Sequence, residues 1–175
     1  GNGIPWSVHG QNVELVFIEN GEAHHVGNYY LCEQIKIDGN RLNINDSYED
    51  VIKNNANPSL ADCGYLLEFD SKDDNDPYFK TSNGIKVKFK DDAIDGTSLS
   101  TQVKSIVQDI ENKLDAGNYS AAYEKLDINS VIDQWLIWEL TFNREYGDPG
   151  SVYMYMNGNG MLCAGPVWDF DLSFI

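Results

Sequence analysis

The sequence predicts an α+β fold on three observations. Short apolar or alternating runs, the pattern of strands, fill the first half of the chain. Stripes at helical spacing follow over residues 97–143. A last hairpin then leads into a loop that carries two aspartates. Strands first and helices later is the order of an α+β protein, not of a parallel doubly wound sheet.

The first strand signal is "VELVFIENGEA", residues 13–23, an apolar run interrupted by Asn20-Gly21, the strongest short signal for a tight hairpin turn. The return strand is predicted over residues 29–37, with Leu31, Glu33, Ile35 and Ile37 on one face. Glu33 is the odd member of that apolar face. The stretch 38–62 is polar and irregular, with one helical turn expected near residues 48–53. "GYLLEFD", residues 64–70, reads as a strand. "SKDDNDP", residues 71–77, is an acidic loop that resembles a calcium loop in composition but lacks its Gly and distal Glu. In "GIKVKFKDD" Ile85, Val87 and Phe89 alternate with Lys86, Lys88 and Lys90, which predicts a half-exposed strand with a solvated basic face.

Val103, Ile106, Val107, Ile110 and Leu114 then form an amphipathic helical stripe, which Gly117 is placed to stop. "SAAYEKL" predicts a short helix. "DINSVIDQWLIWELTFN", residues 127–143, is apolar on nearly every side and predicts a buried central helix, with Trp135 and Trp138 in the core. "SVYMYM" and "MLCAG" are the last two strands, joined through "NGNG", residues 157–160.

The 175 residues suit one domain, residues 1–175, able to bury a proper core. The formal net charge of −16 repels nucleic acid and anionic membrane, so neither is expected as a partner. No apolar run is long enough to span a bilayer, and no signal peptide is seen. The chain starts at Gly1 rather than Met, as a processed or trimmed product would. The cysteines, Cys32, Cys63 and Cys163, form no CxxC pair, which speaks against zinc and for buried free thiols. His24 and His25 are read as surface residues.

The chemistry-bearing residues lie late in the chain. In "GPVWDFDLSFI", Asp169 and Asp171 sit one residue apart, and in an extended loop residues i and i+2 point the same way. Two carboxylates so placed present oxygens to one cation; Mg²⁺ is commonly held by one or two, with water and phosphate oxygens completing an octahedron. The competing reading is a loop whose carboxylates accept backbone N–H bonds. Before the last hairpin, "ELTFNREYGDPGS" offers Asn143, Glu145 and Asp148 after a helix. A catalytic loop with Asp and Asn, a short hairpin and a Mg²⁺-binding Asp is the protein-kinase order. The plainer reading is that Asn143 caps the helix and residues 148–150 make a turn.

"GPVWDFDLSF", "SVYMYMNGNGML", "WELTFN" and "YYLCEQIKIDGNRLNI" together resemble the CotH family of spore-coat-protein-H-like proteins, and stand in that family's order. The resemblance spans roughly residues 4–175 and implies an atypical protein-kinase-like fold. This chain would supply the later strands of the N-lobe and the helical C-lobe. It implies Mg²⁺-dependent phosphoryl transfer from ATP to serines of secreted or coat proteins, outside the cytoplasm. Asp169 then matches the metal-binding aspartate, with Asp171 its neighbour and Asn143 in the metal shell. Glu145 or Asp148 takes the catalytic-loop place. Glu33 matches a family glutamate in "EQIK", on the cofactor side. Ca²⁺ is the alternative cation.

The sequence departs from the family in one respect. Members carry an upstream "RGNS"-like stretch and a phosphate-approaching lysine, and neither stands in this sequence. The expectation is therefore a partial CotH-like domain, either an N-terminally truncated fragment of a longer kinase-like protein or a reduced, inactive relative, with an incomplete phosphate cradle for which Lys36, Lys86 and Lys88 are candidate replacements. The rival class is a non-catalytic module of a surface or coat assembly.

Overall fold

A computed structural model describes residues 4–144 and 150–173. It is an α+β structure with antiparallel sheets. Strands β1 (Gly10–Glu19) and β2 (Glu22–Cys32) form a two-stranded ribbon. Asn20 (φ 51°) and Gly21 (φ 85°) both take the left-handed backbone that a type I′ turn requires. The ribbon leaves much of its apolar surface open: Phe17, Ile18 and Leu31 are all exposed. The return strand differs from expectation. It starts directly after the turn and ends at Cys32, so Glu33, Ile35 and Ile37 lie beyond it. Ile35 and Ile37 instead pack with Leu42, Leu66 and Tyr153.

Helix α1 (Tyr48–Val51) is the turn expected near residue 48, capped by the Ser47 hydroxyl. Strands β3 (Tyr65–Phe69), β4 (Tyr78–Lys80) and β5 (Lys86–Phe89) follow, then helices α2 (Ser98–Asp115), α3 (Tyr119–Ala122) and α4 (Ile128–Thr141). Strands β6 (Val152–Met156) and β7 (Leu162–Ala164) close the chain. The five later strands form one antiparallel sheet in the order β4-β5-β3-β6-β7.

One face of this sheet carries the main core. Leu99, Val103, Val107 and Ile110 of α2 pack on Tyr65, Leu67, Val87, Phe89 and Met156. Helix α2 ends as its sequence requires. Gly117 turns left-handed (φ 70°), its N–H reaches the Leu114 carbonyl at 2.9 Å, and Asn118 N–H reaches that of Lys113 at 2.8 Å.

The other face corrects the expected solvated lysines. Lys88 is fully buried and Lys86 nearly so. The acidic loop folds over them. Lys88 Nζ donates to Asp70 at 2.7 Å and also pairs with Asp74. Lys86 Nζ donates to Asp73 at 2.8 Å and to the Lys72 carbonyl at 2.7 Å. Lys90 meets buried Glu68 at 3.0 Å and pairs with Asp76. Burial pulls the Lys88 ammonium down, but Asp70 and Asp74 outweigh it and leave it raised. The likeness of residues 71–77 to a calcium loop has the same explanation: lysines from β5 neutralise these carboxylates.

Helix α4 also differs from expectation. Its buried stripe is Ser130, Gln134 and Trp138, while Ile132, Trp135, Leu136 and Leu140 are exposed. Apolar composition all round does not make a helix central when only one stripe has a neighbour. The Ser130 hydroxyl accepts the Ala164 N–H at 2.8 Å and ties α4 to the edge strand β7. The three cysteines are free, but only Cys63 is buried: Cys163 is partly buried and Cys32 exposed. His24 and His25 are exposed, as expected. Among the described residues, no helix is long and apolar enough to cross a membrane.

Candidate functional site

The antiparallel register sets the site. Phe69 at the end of β3 pairs with Val152 at the start of β6. Past the end of β7, the Gly165 N–H donates to the Tyr153 carbonyl at 3.0 Å. The loops that leave β3 and β7 therefore emerge at the same end of the sheet. One carries Lys72 and the other carries Asp169 and Asp171.

Trp168 anchors the second loop by packing against the Leu42–Leu66–Tyr153 cluster. The chain then turns left-handed at Asp169 (φ 60°), a conformation that aspartate tolerates better than most residues. Phe170 is half-buried, and Leu172 points outward at 42% exposure. The apolar neighbours thus hold the loop without swallowing both carboxylates: Asp169 is partly buried and Asp171 is exposed.

Asn143 joins this loop to α4. The helix ends with Phe142 in the left-handed region (φ 55°), and the Asn143 N–H reaches back to the Trp138 carbonyl at 3.0 Å. Its side chain is almost wholly buried, and Nδ2 donates to the Asp169 carbonyl oxygen at 2.9 Å. Asn143 therefore closes the helix with its backbone and fixes the aspartate loop with its side chain. Asn143→Ala leaves a partly buried carbonyl unpaired and is expected to cost about 1–2 kcal/mol, measured by urea unfolding.

The electrostatics of the pair are strained. Partial burial, and then the Asp171 carboxylate lying against it, push the Asp169 carboxyl above its usual range; the charge of Lys72 works the other way. Two crowded carboxylates, one of them raised by the other, are relieved by a cation. Two is the number that Mg²⁺ commonly takes, fewer than a closed calcium cage needs. No group of three or more His, Cys, Asp or Glu is placed to hold a metal among the described residues.

Lys72 escaped the sequence reading. It is exposed, and its backbone is held at both ends: its N–H donates to Asp70 Oδ1 at 2.9 Å and its carbonyl accepts Lys86 Nζ. Its nearness to Asp169 depends on the pairing of β3 with β6, across more than 80 residues of chain. No local pattern signals that.

Glu33 makes its described hydrogen bonds with His9. Its carboxylate accepts the His9 N–H at 3.0 Å and meets His9 Nδ1 at 2.9 Å, and His9, mainly its N–H, holds the acid below the usual range. Lys36, one of the candidate replacement lysines, lies 3.7 Å from Asp38. Glu145 and Asp148 lie outside the described residues.

The fold and this loop define an α+β protein whose last hairpin delivers two crowded aspartates to one end of its main sheet, beside a buried asparagine. The chain belongs to the CotH family, described as "CotH kinase protein", whose model matches residues 7–175. No curated protein and no solved structure matches the chain.

Proposed function

We propose that the Asp169–Asp171 loop is the cation and phosphate seat of a phosphoryl-transfer site, in a protein-kinase-like arrangement. One observation carries the reading: two crowded carboxylates lie in a loop fixed through Asn143, at the end of the sheet whose other loop carries Lys72. Family membership supports it as well. Asp169 and Asp171 would hold Mg²⁺. When bound, that ion supplies charge neutralisation on the phosphate oxygens of ATP.

The remaining work falls to residues of the chain. Asn143 keeps the Asp169 carbonyl, and with it the left-handed turn, in a single arrangement. Lys72 is assigned the phosphate contact, because Lys86 and Lys88 are committed to Asp73, Asp70 and Asp74. A lysine tethered through its backbone loses less freedom on meeting a phosphate, which favours it for the role. Glu145 or Asp148 is assigned the proton of the acceptor hydroxyl, by family resemblance. The acceptor is proposed to be a serine of secreted or coat proteins, outside the cytoplasm.

The rival reading, a purely structural aspartate loop, has less support. The long-range bond that pins the loop goes to the Asp169 carbonyl, not to its carboxylate. A direct test is the binding of a fluorescent ATP analogue with Mg²⁺. Lys72→Met is expected to weaken it about tenfold or more, the loss of one charge-assisted contact, and to leave the melting temperature nearly unchanged. Equal binding by wild type and Lys72→Met removes Lys72 from the site.

A further inference from the structure

The helix-covered face of the main sheet holds a cavity whose lining includes no residue of the aspartate loop. Between α2, the start of α4 and the β4–β5 turn lies a groove of about 330 Å³. Its walls are almost wholly apolar, with Phe69, Val107, Ile110, Leu114, Val131 and Met154 among them. That volume is at the small end of ligand sites, which run from roughly 300 to 1,000 Å³.

One charged residue of the wall stands out. Glu111 is only 9% exposed. Its Oε2 accepts Gln108 Nε2 at 2.8 Å and the Asn83 N–H at 3.3 Å. Its Oε1 is shut off from solvent and has no partner. Glu111 belongs to no ion pair among the described residues, in contrast to Glu68 and Asp70 on the opposite face. Asp115, also on the wall, spends one oxygen on Asn83 Nδ2 at 2.8 Å. A buried carboxylate with an idle oxygen is costly to keep. The ladder on the other face shows that this chain supplies lysines where carboxylates are buried for structure alone.

We propose that this groove binds a small organic ammonium ion, its apolar body against Val107, Ile110 and Met154 and its N–H donors on Glu111. Two carboxylates on the wall, in a chain of net charge −16, complement a cation and reject an anion. The apolar wall selects a hydrocarbon or aromatic body over a hydrated metal ion. The terminal torsion of a glutamate is broad, and the proposal needs only that this torsion bring Oε1 to the ammonium ion.

The test is a titration of the intact chain, followed by amide NMR, with three probes that share a phenylethyl body: 2-phenylethylammonium, its neutral hydrocarbon analogue propylbenzene, and 3-phenylpropionate. Wild type is expected to bind the ammonium ion saturably, with shifts confined to the groove, and the anion not at all. Glu111→Gln keeps the shape and removes the charge, and should weaken the ammonium ion by about tenfold or more. Val131→Phe fills the groove and should abolish binding while the rest of the spectrum stays folded. Equal affinity for the cation and the anion overturns the proposal. So does equal affinity of wild type and Glu111→Gln, or no saturable binding of the ammonium ion by folded wild type.

Discussion

Lys88→Met is expected to lower the unfolding free energy by about 3–5 kcal/mol, the usual cost of removing one partner from a buried ion pair. Lys88 has no exposed surface, and its two partners are Asp70, itself buried, and Asp74. Methionine fills the volume but leaves Asp70 buried and uncompensated. Typical domains have about 5–15 kcal/mol in total, so urea unfolding should show a large fall in midpoint. Adding Asp70→Asn to Lys88→Met should recover much of the loss, because the stranded charge is then gone. A loss below about 1 kcal/mol would put Lys88 in the class of exposed pairs and contradict its burial. Lys88 also straps down the loop that carries Lys72, so the same variant should weaken nucleotide binding.

Asp169→Asn is the second large effect, and it acts in two directions. Without a cation, the change should stabilise the fold at neutral pH, on the order of 1 kcal/mol, because it removes one of two repelling carboxylates and keeps a residue that tolerates the left-handed turn. The sign follows from the raised carboxyl. A folded-state value above the unfolded one favours folding in acid. That contribution is complete below the ordinary aspartate value of about 3.9 and is lost as pH rises through the folded value. Wild type and variant should therefore converge in strong acid and separate as pH rises, the variant being the more stable. Melting curves from acid to neutral pH check this; a variant less stable at neutral pH would assign the Asp169 carboxylate to the scaffold. With Mg²⁺ and ATP present, the order should reverse, because only wild type gains from binding.

Local signals carried much of this fold. Asn20-Gly21 and Gly117 marked their turns because the left-handed backbone narrows the choice of residue. The α2 stripe and the last hairpin fell where their periods placed them. What failed was any inference about what covers a face. The β5 alternation showed which residues share a side, but that the acidic loop folds back on the lysines is a tertiary fact. Its one sequence hint was four aspartates, Asp70, Asp73, Asp74 and Asp76, at a spacing that three alternating lysines can match. The α4 case is similar: Trp138 is buried and Trp135 half-exposed, although both sit in equally apolar surroundings in the sequence. At the site, Asp169 and Asp171 were readable as a pair from spacing alone. The hold of Asn143 on the Asp169 carbonyl spans 26 residues, and the approach of Lys72 depends on strand register. Neither was readable in the sequence.

In the proposed function Asp169 and Asp171 seat a divalent cation under a nucleotide. The most direct measurement is Mn²⁺ binding by electron paramagnetic resonance, as a stand-in for Mg²⁺, with and without ATP, on wild type and Asp169→Asn. Wild type is expected to take up Mn²⁺ tightly only with ATP, and Asp169→Asn to lose that uptake. Identical Mn²⁺ binding by the two proteins, or none by either with ATP present, would contradict it.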